Sequence, residues 1–96
     1  MIEHVTPPGG NVFADLGFEP EEAANLLIRT DLMMEIEDII EQRGLRQKDA
    51  ACLFGVSQPR ISDLVRGKID TFTIDSLVTM LARAGVTVEL KVHRAA

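Results

Sequence analysis

The stretch Gln47-Lys48-Asp49-Ala50-Ala51-Cys52-Leu53-Phe54-Gly55-Val56-Ser57-Gln58-Pro59-Arg60-Ile61-Ser62-Asp63-Leu64-Val65-Arg66-Gly67-Lys68 decides the fold. Ala50, Ala51 and Phe54 write one short helix over residues 47–54, and Gly55 ends it because a left-handed residue there carries no Cβ penalty. Ser57 opens a second helix by capping the free N–H groups of the next turn, and Pro59 is tolerated within that first turn. Ile61 and Leu64 face inward, with Val65 a further candidate, and Gly67 terminates the element. Two such helices cross closely when small and apolar residues meet: Ala51 gives clearance, Val56 plugs the corner, and Ile61 and Leu64 anchor the second helix. The pattern is a helix-turn-helix. It leaves Gln58, Arg60, Ser62 and Asp63 pointing outward near the N-terminus of the second helix.

Working outward, Pro20 suits the first turn of a helix, Glu21 and Glu22 sit where the macrodipole favours acids, and the helix runs towards Thr30. Asp31 either caps a fresh start or interrupts a continuous rod. Beyond it Leu32, Ile36, Ile39 and Ile40 recur at helical spacing until Gly44. Downstream, Thr73 caps a last helix, with Leu77, Met80, Leu81 and Ala84 as its buried side and Gly85 as its stop. Residues 86–92 then alternate between apolar and polar, the period of a half-buried strand. Pro7-Pro8-Gly9-Gly10 cannot continue a helix or central strand, so residues 1–10 read as an arm with at most a short extended piece near its start. The expected fold is all-α, a bundle of about five helices with a short C-terminal strand. Its expected divisions are an N-terminal arm at 1–19, a helix-turn-helix domain at 20–85 and a strand segment at 86–96.

With 96 residues, 46% of them apolar and 4% aromatic, the chain holds one modest aliphatic core. Cys52 is the only cysteine, which excludes an internal disulfide and a cysteine-based zinc site and fits a reducing compartment. His4 and His93 have no ligand spacing, so neither metal nor cofactor is expected. No apolar run approaches a membrane span and no signal peptide is evident, so a cytoplasmic protein is expected. The carboxylates along the acidic helix lack a phosphate loop or an activated nucleophile beside them, so no enzyme is expected.

Charge is uneven along the chain. Residues 1–42 hold ten acids against Arg29 alone, for −9, whereas residues 43–68 hold Arg43, Arg46, Lys48, Arg60, Arg66 and Lys68 against Asp49 and Asp63, for +4. The overall −5 therefore conceals a local positive surface on the helix-turn-helix, which binding to a polyanion requires. Each charge run read alone is equally a solvated helix face.

Residues 47–68 resemble, without a gap, the Xre family of helix-turn-helix regulators, which includes phage lambda-type repressors. The resemblance implies that Gln47 touches a phosphate as it opens the first motif helix and that Gln58 reads a base just after the cap of the recognition helix. It implies further that Arg60 and Ser62 face the groove and that Arg66 and Lys68 grip the backbone. A Gln amide can donate and accept against adenine, and an Arg guanidinium can pair with guanine, each good bidentate contact discriminating by roughly 1–3 kcal/mol. Lys48, Arg66 and Lys68 would set position and salt dependence through phosphates. Asp63 fits orienting a neighbouring Arg, or excluding a wrong base, better than touching DNA.

The helices together with Asn11-Val12-Phe13-Ala14-Asp15-Leu16-Gly17-Phe18 and the C-terminal strand look more narrowly like a HigA-type antitoxin. That likeness implies a repressor of its own operon whose acidic residues 1–42 also mask a small basic RNase toxin. The alternatives are a phage-type or stand-alone Xre regulator, or a protein-docking module that binds DNA only weakly. Cys52 and Leu53 stand where this family usually carries charge, which calls for cover from the N-terminal segment, the C-terminal strand, a second subunit or simple local packing.

The strand bears on assembly. With no second clear strand in its own chain, it leaves backbone groups unpaired and Val86, Val88, Leu90 and Val92 uncovered. Antiparallel pairing with the same strand of another protomer meets both needs. The resulting homodimer would also space two recognition helices about 34 Å apart on a palindromic double-stranded operator. Pairing with residues 1–6, or with an exposed sheet edge of a toxin, are the other solutions.

Overall fold

The fold comes from a computed structural model, which describes residues 2–4 and 12–94. In chain order its elements are β1 (Ile2–His4), α1 (Val12–Asp15), α2 (Pro20–Gln42), α3 (Gln47–Phe54), α4 (Gln58–Val65), a 3-10 turn at Ile69–Thr71, α5 (Ile74–Arg83) and β2 (Val88–Leu90). Five α-helices are present as expected, but they are divided differently. Of the two readings of Asp31 the capped fresh start is not found: α2 is one continuous rod of 23 residues in which Asp31 lies exposed at mid-length. The rod continues because Leu32, Met33, Ile36 and Ile39 extend the buried side begun by Ala23 and Leu26. The fifth helix is instead the short α1, which packs on α2 and whose Phe13 ring meets Phe18 edge-on at 6.0 Å.

The core forms where α2 crosses the helix-turn-helix and α5. Ile36, Phe54, Ile61, Leu64, Leu77 and Leu81 are fully excluded from solvent, and Phe72 closes the cluster from the segment after α4. The local signals hold up in detail. Gly55 sits at φ 69°, and its N–H donates to the Ala51 carbonyl to end α3. Thr73 and Ser76 form a reciprocal capping box at the start of α5, each side-chain oxygen accepting from the other residue's backbone N–H.

The strand requires a correction. It is shorter than the alternation predicts, spanning Val88–Leu90, and it has a mate in its own chain: β1 pairs with it in parallel, Ile2 opposite Val88 and His4 opposite Leu90. The whole helical unit serves as the crossover that a parallel pair needs. The strand therefore does not depend on another protomer for a mate. What remains is the apolar face: Val86 and Val88 are half-buried against the core, whereas Leu90 is 71% and Val92 83% exposed.

Candidate nucleic-acid interface

α3 and α4 are joined by Gly55-Val56-Ser57 and pack through Ala50, Ala51, Phe54, Ile61 and Leu64, all buried. Ser57 caps α4, its hydroxyl accepting from the Arg60 backbone N–H at 3.4 Å. The inward direction of α4 is set by Ile61 and Leu64. Away from them Gln58, Ser62 and Arg66 follow at four-residue intervals, drifting about 40° per step, so they form one solvent-side face that runs from the flank at Gln58 to the side opposite the buried pair at Arg66. Gln58 and Arg66 are exposed and Ser62 is half-buried on that face. Gln47 and Lys48 lie exposed in the first turn of α3, whose unpaired backbone N–H groups suit a phosphate.

Arg60 is not brought to this face. Four residues before Leu64, it lies about 40° from Leu64 around the helix, on the opposite flank from Gln58. Its guanidinium is centred 4.4 Å above the ring of buried Phe72, and its Nη1 donates to the Thr71 carbonyl oxygen at 2.7 Å. The side chain thus stitches α4 to the segment leading into α5. Asp63 faces Lys68 at 3.5 Å rather than an arginine, which ties down the last of the expected phosphate contacts, and Arg46 pairs with Asp49 at 3.4 Å. Among the described residues, Lys48 and Arg66 have no ionic partner. Leu53 packs against the core, while Cys52 is a free exposed thiol and Val65 is half exposed at the edge of α4.

Two arginines that sequence reasoning passed over complete the frame. Arg83 of α5 donates from Nη1 to the Gly55 carbonyl at 2.7 Å, covering the turn of the motif so closely that a Cβ at position 55 would collide with it. Arg29, the lone base among the acids of residues 1–42, donates through Nη1 to the Ile69 carbonyl at 3.1 Å and the Phe72 carbonyl at 3.4 Å, and through Nε to Asn25 at 2.6 Å. Arg29, Arg60 and Arg83 thus each hold main-chain carbonyls beside the motif. Their partners are 40, 11 and 28 residues distant in sequence, so no local pattern announces them.

The arrangement is that of a helix-turn-helix reader: a rigid two-helix unit whose second helix keeps a polar flank in water. A helix-turn-helix domain family model matches residues 12–93, and the chain belongs to that family. It is similar, at 29% identity over 91 residues, to an uncharacterized HTH-type transcriptional regulator of Haemophilus influenzae, the match covering 93% of this chain and 92% of that one. It also resembles a solved structure assigned to the XRE family of transcriptional regulators. There the TM-score is 0.71 at 26% identity, over 77% of this chain and 83% of the other. The fold is thus that of the XRE-type helix-turn-helix regulators, DNA-binding proteins without catalytic activity. Among the described residues, no helix is long and apolar enough to cross a membrane.

Proposed function

We propose that this protein is a sequence-specific DNA-binding repressor acting in the cytoplasm, with residues 20–85 as the DNA-binding unit. α4 enters the major groove, Gln58 and Ser62 meet base edges, and Gln47, Lys48, Arg66 and Lys68 meet phosphates. The observation that carries this reading is the outward face of α4, where Gln58 stands exposed in the first turn with Ser62 and Arg66 in line behind it. Arg60, which its motif position directs to the groove, is assigned in this reading to positioning α4, supported by its contacts with Phe72 and Thr71. The test is a mobility shift on the region upstream of the gene. Gln58→Ala with Ser62→Ala is expected to abolish binding above competitor DNA while leaving the helical spectrum unchanged.

The same reading makes the protein a homodimer on a palindromic operator. It is supported by Leu90 and Val92, exposed at and beyond the end of β2, and by a cavity of about 160 Å³ lined, among the described residues, by Ile28, Leu32, Ile74, Val78, Val88 and Leu90. Leu90→Arg with Val92→Glu is expected to yield a monomer by sedimentation. A dimer that survives both changes excludes this face. The antitoxin role rests on the HigA-type resemblance and on the acidic residues 1–42. It is tested by co-expressing the adjacent reading frame: a small basic protein retained on the tagged chain supports it, and a frame whose product is not retained refutes it.

A further inference from the structure

Two cavities on one side of α2 share a wall. The first, of about 330 Å³, is lined by Phe13, Thr30, Met33, Met34, Glu37, Gly67 and Ile69. The second, of about 230 Å³, is lined by Glu37, Ile40, Glu41 and Val65. Thr30, Met33, Met34, Glu37, Ile40 and Glu41 recur at three- and four-residue steps, so they form a single stripe along α2, about 16 Å from end to end. α1 borders one side and the end of α4 the other. Met34 and Val65 are half exposed although both are apolar.

The polarity of this groove is one-sided. Glu37 stands where the cavities meet and Glu41 at one end, and among the described residues no Lys or Arg lines either cavity. Arg66, between Val65 and Gly67, and Arg43, two residues past Glu41, are both exposed and line neither cavity, and Lys68 is turned to Asp63. Burial first, and the neighbouring Asp38 second, push the Glu37 carboxyl above its ordinary value, which marks a carboxylate lacking a compensating cation. A second copy of this chain fits poorly, since a twofold contact through this stripe would bring two acids from each protomer into one apolar seam.

We propose that this groove is the docking site for a basic amphipathic helix of a partner protein, apolar side chains seated among Phe13, Met33, Met34, Ile69 and Val65 and Lys or Arg side chains on Glu37 and Glu41. The mode is that of a helix laid in a groove, read through anchors one turn apart. The site is separate from the outward face of α4, but it borders α4 through Val65 and Gly67, so an occupant would lie beside the DNA-reading helix. The inference deepens the antitoxin reading, on which it rests for the existence of a basic partner.

The experiment uses the full chain and a dye-labelled synthetic peptide of about four helical turns, with Leu at helical spacing and Lys elsewhere, followed by fluorescence anisotropy without DNA. Met34→Lys, and separately Glu37→Gln with Glu41→Gln, are each expected to weaken binding about tenfold, whereas Glu21→Gln with Glu22→Gln, acids at the far end of α2, changes it less than about twofold. Circular dichroism verifies that each variant is folded. Equal weakening by the Glu21 and Glu22 changes, indifference to Met34→Lys, or no binding of the peptide overturns the proposal. Loss of a dimer in Met34→Lys by sedimentation also overturns it, assigning the groove to a second copy. A chain that binds the peptide in the groove yet does not retain the neighbouring gene's product refutes the antitoxin role alone.

Discussion

Replacing Arg60 with alanine removes two contacts that the structure places inside the monomer. One is the guanidinium 4.4 Å above the Phe72 ring, a cation–π contact at a half-buried site worth about 0.5–1 kcal/mol. The other is the bond from Nη1 to the Thr71 carbonyl at 2.7 Å, worth about 0.5–1.5 kcal/mol, the lower part of that range applying because Thr71 is exposed to water. The Ser57 cap is untouched, since it uses the Arg60 backbone N–H. The expected loss is therefore about 1–2 kcal/mol, or a fall in Tm of roughly 4–16 °C for a domain of this size. With no Trp or Tyr in the chain, far-UV circular dichroism under urea is the suitable probe. Arg60→Lys is expected to recover little, because an ammonium lacks the planar face and fork. A double-mutant cycle with Phe72→Leu is expected to show coupling of about 0.5–1 kcal/mol. An Arg60→Ala chain as stable as the parent, within about 0.3 kcal/mol, that nevertheless loses sequence-specific DNA binding would refute the reasoning and return Arg60 to the groove.

Three further outcomes follow from the geometry. Gly55→Ala places a Cβ at φ 69° and against Arg83, and is expected to cost about 2 kcal/mol in urea unfolding; Arg83→Ala, which loses one exposed hydrogen bond, costs less than half of that. Ile61→Ala, at a fully buried anchor of α4, is expected to cost about 2–5 kcal/mol and to abolish DNA binding by loosening the reading helix. Because burial and then Asp38 raise the folded-state pKa of Glu37, the folded protein holds this proton more tightly than the unfolded chain. The stabilising contribution is complete below the ordinary value of 4.5 and is lost as pH rises through the folded value. Glu37→Gln is therefore expected to be the more stable chain at pH 7, with the advantage over the parent shrinking as pH falls towards 4.5; a difference that stays constant with pH removes this assignment.

The helix-turn-helix was legible because it is written in local chemistry. A left-handed Gly55, a capping Ser57 and the spacing of Ile61 and Leu64 fix two helices and their crossing within 22 residues. The capping box at Thr73 and the stop at Gly85 belong to the same class of signal. Asp31 misleads because an exposed acid costs a helix little when the apolar residues on both sides of it share one buried face. β1 was hard to weigh because three residues carry no usable period, and their mate lies more than 80 residues downstream. Arg60 marks the limit of motif reasoning. Its position in the motif points to the groove, but the buried Phe72 beside it offers a face that a guanidinium occupies, and nothing within residues 47–68 reveals Phe72.

Binding of the full chain to the DNA upstream of its own gene, measured by anisotropy against scrambled competitor at several salt concentrations, tests the central claim most directly. The account predicts preference for one site by a factor of roughly a thousand or more, lost when Gln58 and Ser62 become alanine, and a salt slope that flattens by about one for each of Lys48 and Arg66 removed. Equal affinity for target and scrambled DNA, or a preference that survives the loss of Gln58 and Ser62, would contradict it.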